Sequence, residues 1–268
     1  MHTQIAMEWM RRIDRCTRLQ SAQPAAGQLL GFYEGVLRVQ SDIACELAEG
    51  DSGYREDVPF REQVDLGVAV RHLPALLDVT LRRGTKVLAD SAVAIAGMGG
   101  QQTRDRIRAL LDHGGMKEPE TEADRFFLLA LLQPSAEHVA LRCPQRPTTE
   151  SRCQACGGLP SLAVLRPEGE GGKRSLQCSI CLMEWIFRRV LCPWCGETDM
   201  DKLPRYTAEE SNYIRVEACD TCKHYLKSVD LTVEGRAVPL VDEVAFAALD
   251  LWATQQGFTK ISQNLLGF

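Results

Sequence analysis

The sequence predicts an α+β chain: an N-terminal all-α domain, then two small four-cysteine β ribbons, then a C-terminal helix. Three observations lead there. Residues 1–142 carry apolar side chains at three- and four-residue steps, the period of amphipathic helices. Eight of the eleven cysteines lie between Cys153 and Cys222, as four Cys-x-x-Cys pairs. Short alternating segments around polar or glycine-rich reversals separate those pairs, as in hairpins. The corresponding units are 1–142 (helical), 143–190 (first ribbon) and 191–268 (second ribbon with closing helix and tail).

Composition narrows the classes of function. At 268 residues, with 45% hydrophobic and 25% charged residues, the chain has the make-up of a soluble globular protein. A net charge of −5 speaks against nucleic acid or a membrane surface as partner. The ribbon region, 151–231, holds 11 basic and 11 acidic residues and is locally neutral. No apolar run reaches the ~18 residues of a membrane span, and the mixed polar start, Met1 to Arg12, has no signal region. Many cysteines without an export signal indicate a reducing cytoplasm and metal ligation in place of disulfides.

In the helical half, Met7, Met10, Ile13 and Cys16 set a first helix. Pro24 fits the first turn of a second, running through Leu30, Tyr33 and Leu37 towards Gly50. Asp51-Ser52-Gly53 lies in a polar connection, and a long helical pattern follows from Phe60 through Val64, Val68 and Val70. Pro74 breaks it, lacking an N–H and clashing with the preceding turn. Further helices are expected through Leu76–Leu81, Val87–Ile95 and Ile107–Leu111, the last stopped by Gly114-Gly115. Thr121 to Asp124 has the form of a capping box before the apolar Phe126–Leu132. Gly97–Gly100 lacks the strand and the Lys-Ser/Thr of a phosphate loop and reads as a helix breaker. His72, His113 and His138 have no ligand-spaced neighbours, and Cys16 and Cys45 read as small apolar residues.

After a proline-containing linker, Cys143 to Thr149, come Cys153/Cys156, Cys178/Cys181, Cys192/Cys195 and Cys219/Cys222. Cys143 has no partner at that spacing and is read as a linker cysteine. Two residues between thiolates let both sulfurs face one point from a tight turn, so two such turns close a tetrahedral site. The gaps of 21, 10 and 23 residues, with Cys153–Cys156-Gly157 matching Cys192–Cys195-Gly196, indicate a tandem repeat. The pairs then close sequentially, first with second and third with fourth; a cross-braced arrangement is the rival. Each unit is a hairpin plus an exit strand: Leu162–Arg166, Lys173–Gln177 and Trp185–Phe187, then Leu203–Thr207, Tyr213–Glu217 and Tyr225–Leu231. So small a core makes metal a main source of folding energy for an isolated ribbon. Zinc and iron both accept four thiolates, and spacing does not choose between them. His224 stands near a set already complete. With no open coordination position and no acid–base pair nearby, neither metal makes a hydrolytic site. A helix from about Val241 to Gln256, ended by Gly257, precedes an apolar tail that packs back on the chain.

Taken together, Cys192-Pro193-Trp194-Cys195-Gly196, Glu217–Lys223 and Leu240–Trp252 resemble the formate dehydrogenase accessory protein family FdhE, over the whole chain. The resemblance implies a non-enzymatic cytoplasmic factor, chaperone-like in maturation, that acts on the formate dehydrogenase catalytic subunit. It also implies rubredoxin-like (zinc-ribbon-like) modules holding about two iron ions per chain, with zinc the alternative. A homodimer is a further partner the sequence allows. A tandem zinc-ribbon nucleic-acid-binding protein and a thiol-redox protein are the competing classes.

Overall fold

The computed structural model describes residues 2–50, 53–112, 121–144, 148, 150–169, 171–208 and 211–268. The N-terminal part is helical: α1 (His2–Ala22), α2 (Gly27–Glu49), α3 (Phe60–Gln63), α4 (Leu66–Arg71), α5 (Leu73–Arg83), α6 (Lys86–Ala96), α7 (Gly100–Asp112) and α8 (Glu122–Ala140). The expected stop at Gly114-Gly115, His113, Asp51-Ser52 and most of the linker lie outside the described residues. No described helix is long and apolar enough to cross a membrane.

Several boundaries follow from side chains. Pro24 opens a 3-10 turn leading into α2, and Pro74 sits in the first turn of α5, where its missing N–H costs nothing. Thr121 Oγ1 accepts from the Asp124 N–H to cap α8. Two expectations are corrected. The pattern from Phe60 is not one helix: Val64 is extended, and Asp65 then caps α4 by accepting from the Gly67 and Val68 N–H groups. On α1 the inward face is Trp9, Arg12, Cys16 and Leu19, while Met7 and Met10 are exposed. Arg12 is buried because it pairs with Glu137 of α8 and lies 4.3 Å over the Trp9 ring.

The rest forms one seven-stranded mixed sheet from β1 (Pro160–Glu168), β2 (Gly171–Cys178), β3 (Glu184–Ile186), β4 (Arg205–Ala208), β5 (Ser211–Ala218), β6 (His224–Asp230) and β7 (Thr259–Lys260). The order is β3-β2-β1-β6-β5-β4, with β7 on the start of β6. The two ribbons are therefore not separate. Their joint is a parallel pairing of β1 with β6, Leu162 opposite Lys227 through Leu165 opposite Asp230. Leu162, Val164, Leu176, Ile214 and Val229 belong to one continuous core with the helices.

The closing helix is also two: α9 (Pro239–Ala245) and α10 (Ala248–Gln255), separated at Phe246-Ala247. α9 packs on α1 and α2 on one side and on β1 and β6 on the other. Beneath it lies a polar cluster that the sequence did not mark. Lys227, fully buried, reaches Glu243 (3.0 Å) and Asp250, and Lys260 reaches the same two carboxylates at 2.5 and 3.0 Å. Arg15 of α1 grips Asp242, which also accepts from the Tyr213 hydroxyl at 2.7 Å. Gly257, at φ +83, ends α10, and Phe258, Ile261 and Leu265 of the tail are buried as expected.

Candidate metal centres

Four tight turns present the cysteines, and their backbones repeat. In each, the first cysteine's N–H donates to the carbonyl five residues on: Cys153 to Gly158, Cys178 to Met183, Cys192 to Glu197 and Cys219 to His224, all 2.8–2.9 Å. The residue after the second cysteine has a positive φ: Gly157 (+74), Leu182 (+58), Gly196 (+77) and Lys223 (+58). Glycine occupies that position in the first and third turns; the two other turns force a side chain into the left-handed region, at a cost of about 1–2 kcal/mol. Lys223→Gly should therefore raise stability by about 1 kcal/mol, since the exposed Lys223–Asp220 pair contributes little. Leu182→Gly should lower it, because the lost burial of Leu182, about 2 kcal/mol, exceeds the relief. Thermal melts of the two variants read the opposite signs.

The turns bring the sulfurs together sequentially, in two groups: Cys153, Cys156, Cys178 and Cys181, and Cys192, Cys195, Cys219 and Cys222. The cross-braced rival is not what forms. In the first group Cys153–Cys181 and Cys156–Cys178 are 3.4 Å apart, Sγ to Sγ; in the second, Cys192–Cys222 and Cys195–Cys219 are 3.7 Å apart. Four sulfurs about 2.3 Å from a tetrahedral ion stand roughly 3.8 Å from one another, so the second group has that spacing and the first is a few tenths tighter. None of these cysteines is in a disulfide.

The donor set fits a thiophilic cation. Burial, and then the neighbouring thiols, hold Cys178 and Cys181 well above the ordinary thiol range, and burial pushes Cys192 up to about 11. Four thiols this close do not ionise together without a positive charge among them. Backbone N–H groups point at sulfur from Ile180 to Cys178 and from Trp194 to Cys192, both 3.4 Å, as supporting bonds around a thiolate centre do.

The helices position the first group directly. Pro134 leaves the Ala130 carbonyl of α8 without its usual helical donor, and Gln40 of α2 donates to it at 3.0 Å. The neighbouring Gln133 donates to Ser179 O, inside the second turn, at 3.0 Å. Neither glutamine stood out in the sequence; a proline inside an apolar helix, one residue after a buried amide, was the available sign.

Other candidates fall elsewhere. Cys143 follows α8, is half-buried, and joins neither sulfur group; its thiol donates to Val139 O at 3.6 Å. Cys16 is fully buried, donates to Leu30 O, and is pushed up to about 12 by burial. His72 meets the Glu46 carboxylate at 2.7 Å, a partner 26 residues away that local spacing could not show. His224 is held by Cys222 O at 2.9 Å and stacks on Trp194 with ring centroids 4.1 Å apart.

A helical region joined to two sequential four-cysteine groups on one sheet defines a tandem ribbon protein with two candidate metal centres. Residues 190–266, the second ribbon and closing helices, match the family model described as the FdhE C-terminal domain. The chain is 27% identical over 270 residues to an FdhE homolog of Aquifex aeolicus, covering 96% of this chain and 94% of that one. It is 35% identical over 153 residues to an FdhE homolog of Pseudomonas aeruginosa, 52% of this chain and 48% of that one. The crystal structure of the FdhE protein from Pseudomonas aeruginosa matches with a TM-score of 0.73 at 25% identity, over 97% of this chain and 96% of that one. The chain is thus similar to FdhE proteins along nearly its whole length, and its residues 190–266 match their C-terminal domain.

Proposed function

We propose that this chain is a non-enzymatic accessory protein in formate dehydrogenase maturation, and that it binds the catalytic subunit in the cytoplasm through a scaffold held by two four-cysteine metal sites. The observation that carries this reading is the pair of preassembled four-sulfur groups, each with every tetrahedral position supplied by cysteine. Such a site has no open position for substrate or activated water, so its work is to hold shape. Similarity to FdhE proteins directs that shape to a formate dehydrogenase client. The ligands are Cys153, Cys156, Cys178 and Cys181 in the unit 143–190, and Cys192, Cys195, Cys219 and Cys222 in 191–268, beside a helical unit 1–142. Iron in rubredoxin-like coordination is the proposed metal; zinc is the alternative, with the same donors.

Charge supports a protein client over nucleic acid. Arg166, Arg174 and Arg215 on the sheet are each paired to a carboxylate, Glu184, Glu217 and Asp230. Purified protein should carry about two metal ions per chain, and iron would show the visible absorption of ferric thiolate. A metal content near zero contradicts the reading. In cells lacking the native gene, Cys192→Ala or Cys219→Ala should leave formate dehydrogenase inactive, and full activity there would overturn the client assignment. Co-purification of the catalytic subunit with the intact chain tests binding directly.

A further inference from the structure

The two sulfur groups arise from a repeat, yet the repeat is unequal around them. In the first, Cys178 and Cys181 are fully buried and Cys153 nearly so, and all three belong to the core shared with the helices. In the second, Cys195 is exposed and Cys222 half-buried, and none of the four belongs to that core. The cause is legible position by position. Ile180, Leu182 and Met183, all buried around the first group, have as counterparts Thr221, Lys223 and His224. The first two of these counterparts are exposed or half-buried and polar, and His224 is half-buried. Gly158 brings its backbone so close that a Cβ would stand 2.9 Å from Cys178 Sγ and 3.3 Å from Cys156 Sγ. Its counterpart Glu197 carries a side chain, which turns away to the Thr221 hydroxyl at 2.6 Å.

We propose that the two centres differ in kind: the first keeps its metal as part of the core, and the second is an exchange and modification site whose entry point is Cys195. This rests on the ligation reading above. A metal leaves four thiolates by stepwise replacement, and each step needs a proton or an incoming donor at sulfur. At the second centre, a soft chelator or small thiol would reach a bound ion beside Cys195 and replace the Cys195 sulfur as ligand; the released sulfur would take up a proton, from the incoming thiol or from water. At the first, the same attack requires opening the core that the helices share. Electrophiles follow the same rule, since thiolate reactivity needs access. With iodoacetamide, Cys195 sulfur attacks the methylene carbon, an S–C bond forms and iodide leaves.

The test uses the full chain as purified, with 4-(2-pyridylazo)resorcinol as chelator and native mass spectrometry counting metals against time. One ion should leave on the order of a hundredfold faster than the other, because opening a core element costs a few kcal/mol more than reaching a surface group. A folded one-metal species should accumulate. Iodoacetamide mapping should label Cys195 first among the eight ligands, and Cys156, its half-buried counterpart, much later. Replacing Thr221, Lys223 and His224 by Ile, Leu and Met should slow release from the second centre. Two ions lost at one rate, or Cys156 labelled as fast as Cys195, overturns the proposal while leaving the ligation reading intact. A chain that carries no metal at the outset sinks both.

Discussion

Cys178→Ser should remove the first metal and unfold much more than the first ribbon. Cys178 is fully buried, its ribbon shares one core with the helices, and Gln133 ties α8 to the turn that begins at Cys178. A structural four-ligand site contributes roughly 10–16 kcal/mol of apparent binding energy, as large as the whole ~5–15 kcal/mol stability margin of a domain. The variant should hold one metal, and its helical circular-dichroism signal should melt far below that of the parent or be lost on expression. Cys222→Ser, at the outer centre, should also lose a metal yet keep a cooperative helical melt. Equal melts for the two variants would contradict the shared core as the reason.

Lys227→Met should be the most damaging change away from the cysteines. Lys227 stands between Glu243 and Asp250, and removing it leaves two buried carboxylates with Lys260 as their remaining shared cation. Breaking such a group costs about 3–5 kcal/mol, equivalent to a thermal midpoint lower by roughly 10 °C. The pH dependence carries its own signature. Burial alone would raise the Glu243 carboxyl, but Lys227 and Lys260 outweigh it and hold it at about 2, below its ordinary 4.5. A depressed carboxyl adds stability above its unfolded value, and that stability is lost as pH falls from 4.5 towards 2. Midpoints measured across that window should fall less steeply in Lys227→Met than in the parent. An unchanged midpoint at neutral pH would show that the cluster adds nothing.

How much of this was legible in the sequence depends on the range of the interaction that decides each feature. The four turns, their sequential grouping and both hairpins are local, and Cys-x-x-Cys with matching gaps announces them. Proline and glycine boundaries are local too, as Pro74 and Gly257 demonstrate. Features set across the fold were missed. Lys227 did not stand out because a strand lysine is ordinarily solvated; only α9, packed on β6 from elsewhere in the chain, encloses it. Arg12 reads as solvent-facing on α1 until Glu137, 125 residues away, is seen beside it. The breaks at Val64 and at Phe246-Ala247 interrupt apolar patterns that continue in register on both sides. The parallel joint of β1 with β6 has no signature in either strand, because the repeat describes each unit alone.

That joint has a consequence beyond holding the centres in fixed relation. The first unit contributes β3-β2-β1 and the second β6-β5-β4, so the contact is made by unlike edges of like units. The outer edges, β3 and β4, are the repeat counterparts of β6 and β1, the very pair that found each other in the middle. A contact that carries one unit onto the next by translation, with no return, generates a fibre when it recurs between molecules. Truncation of the outer edges opposes this: β3 has three residues and β4 four, against nine in β1 and seven in β6. Too few backbone groups remain at either rim to template a neighbour. Repetition lengthens the sheet once within the chain, and the short rims leave little backbone for the same geometry to extend it between molecules.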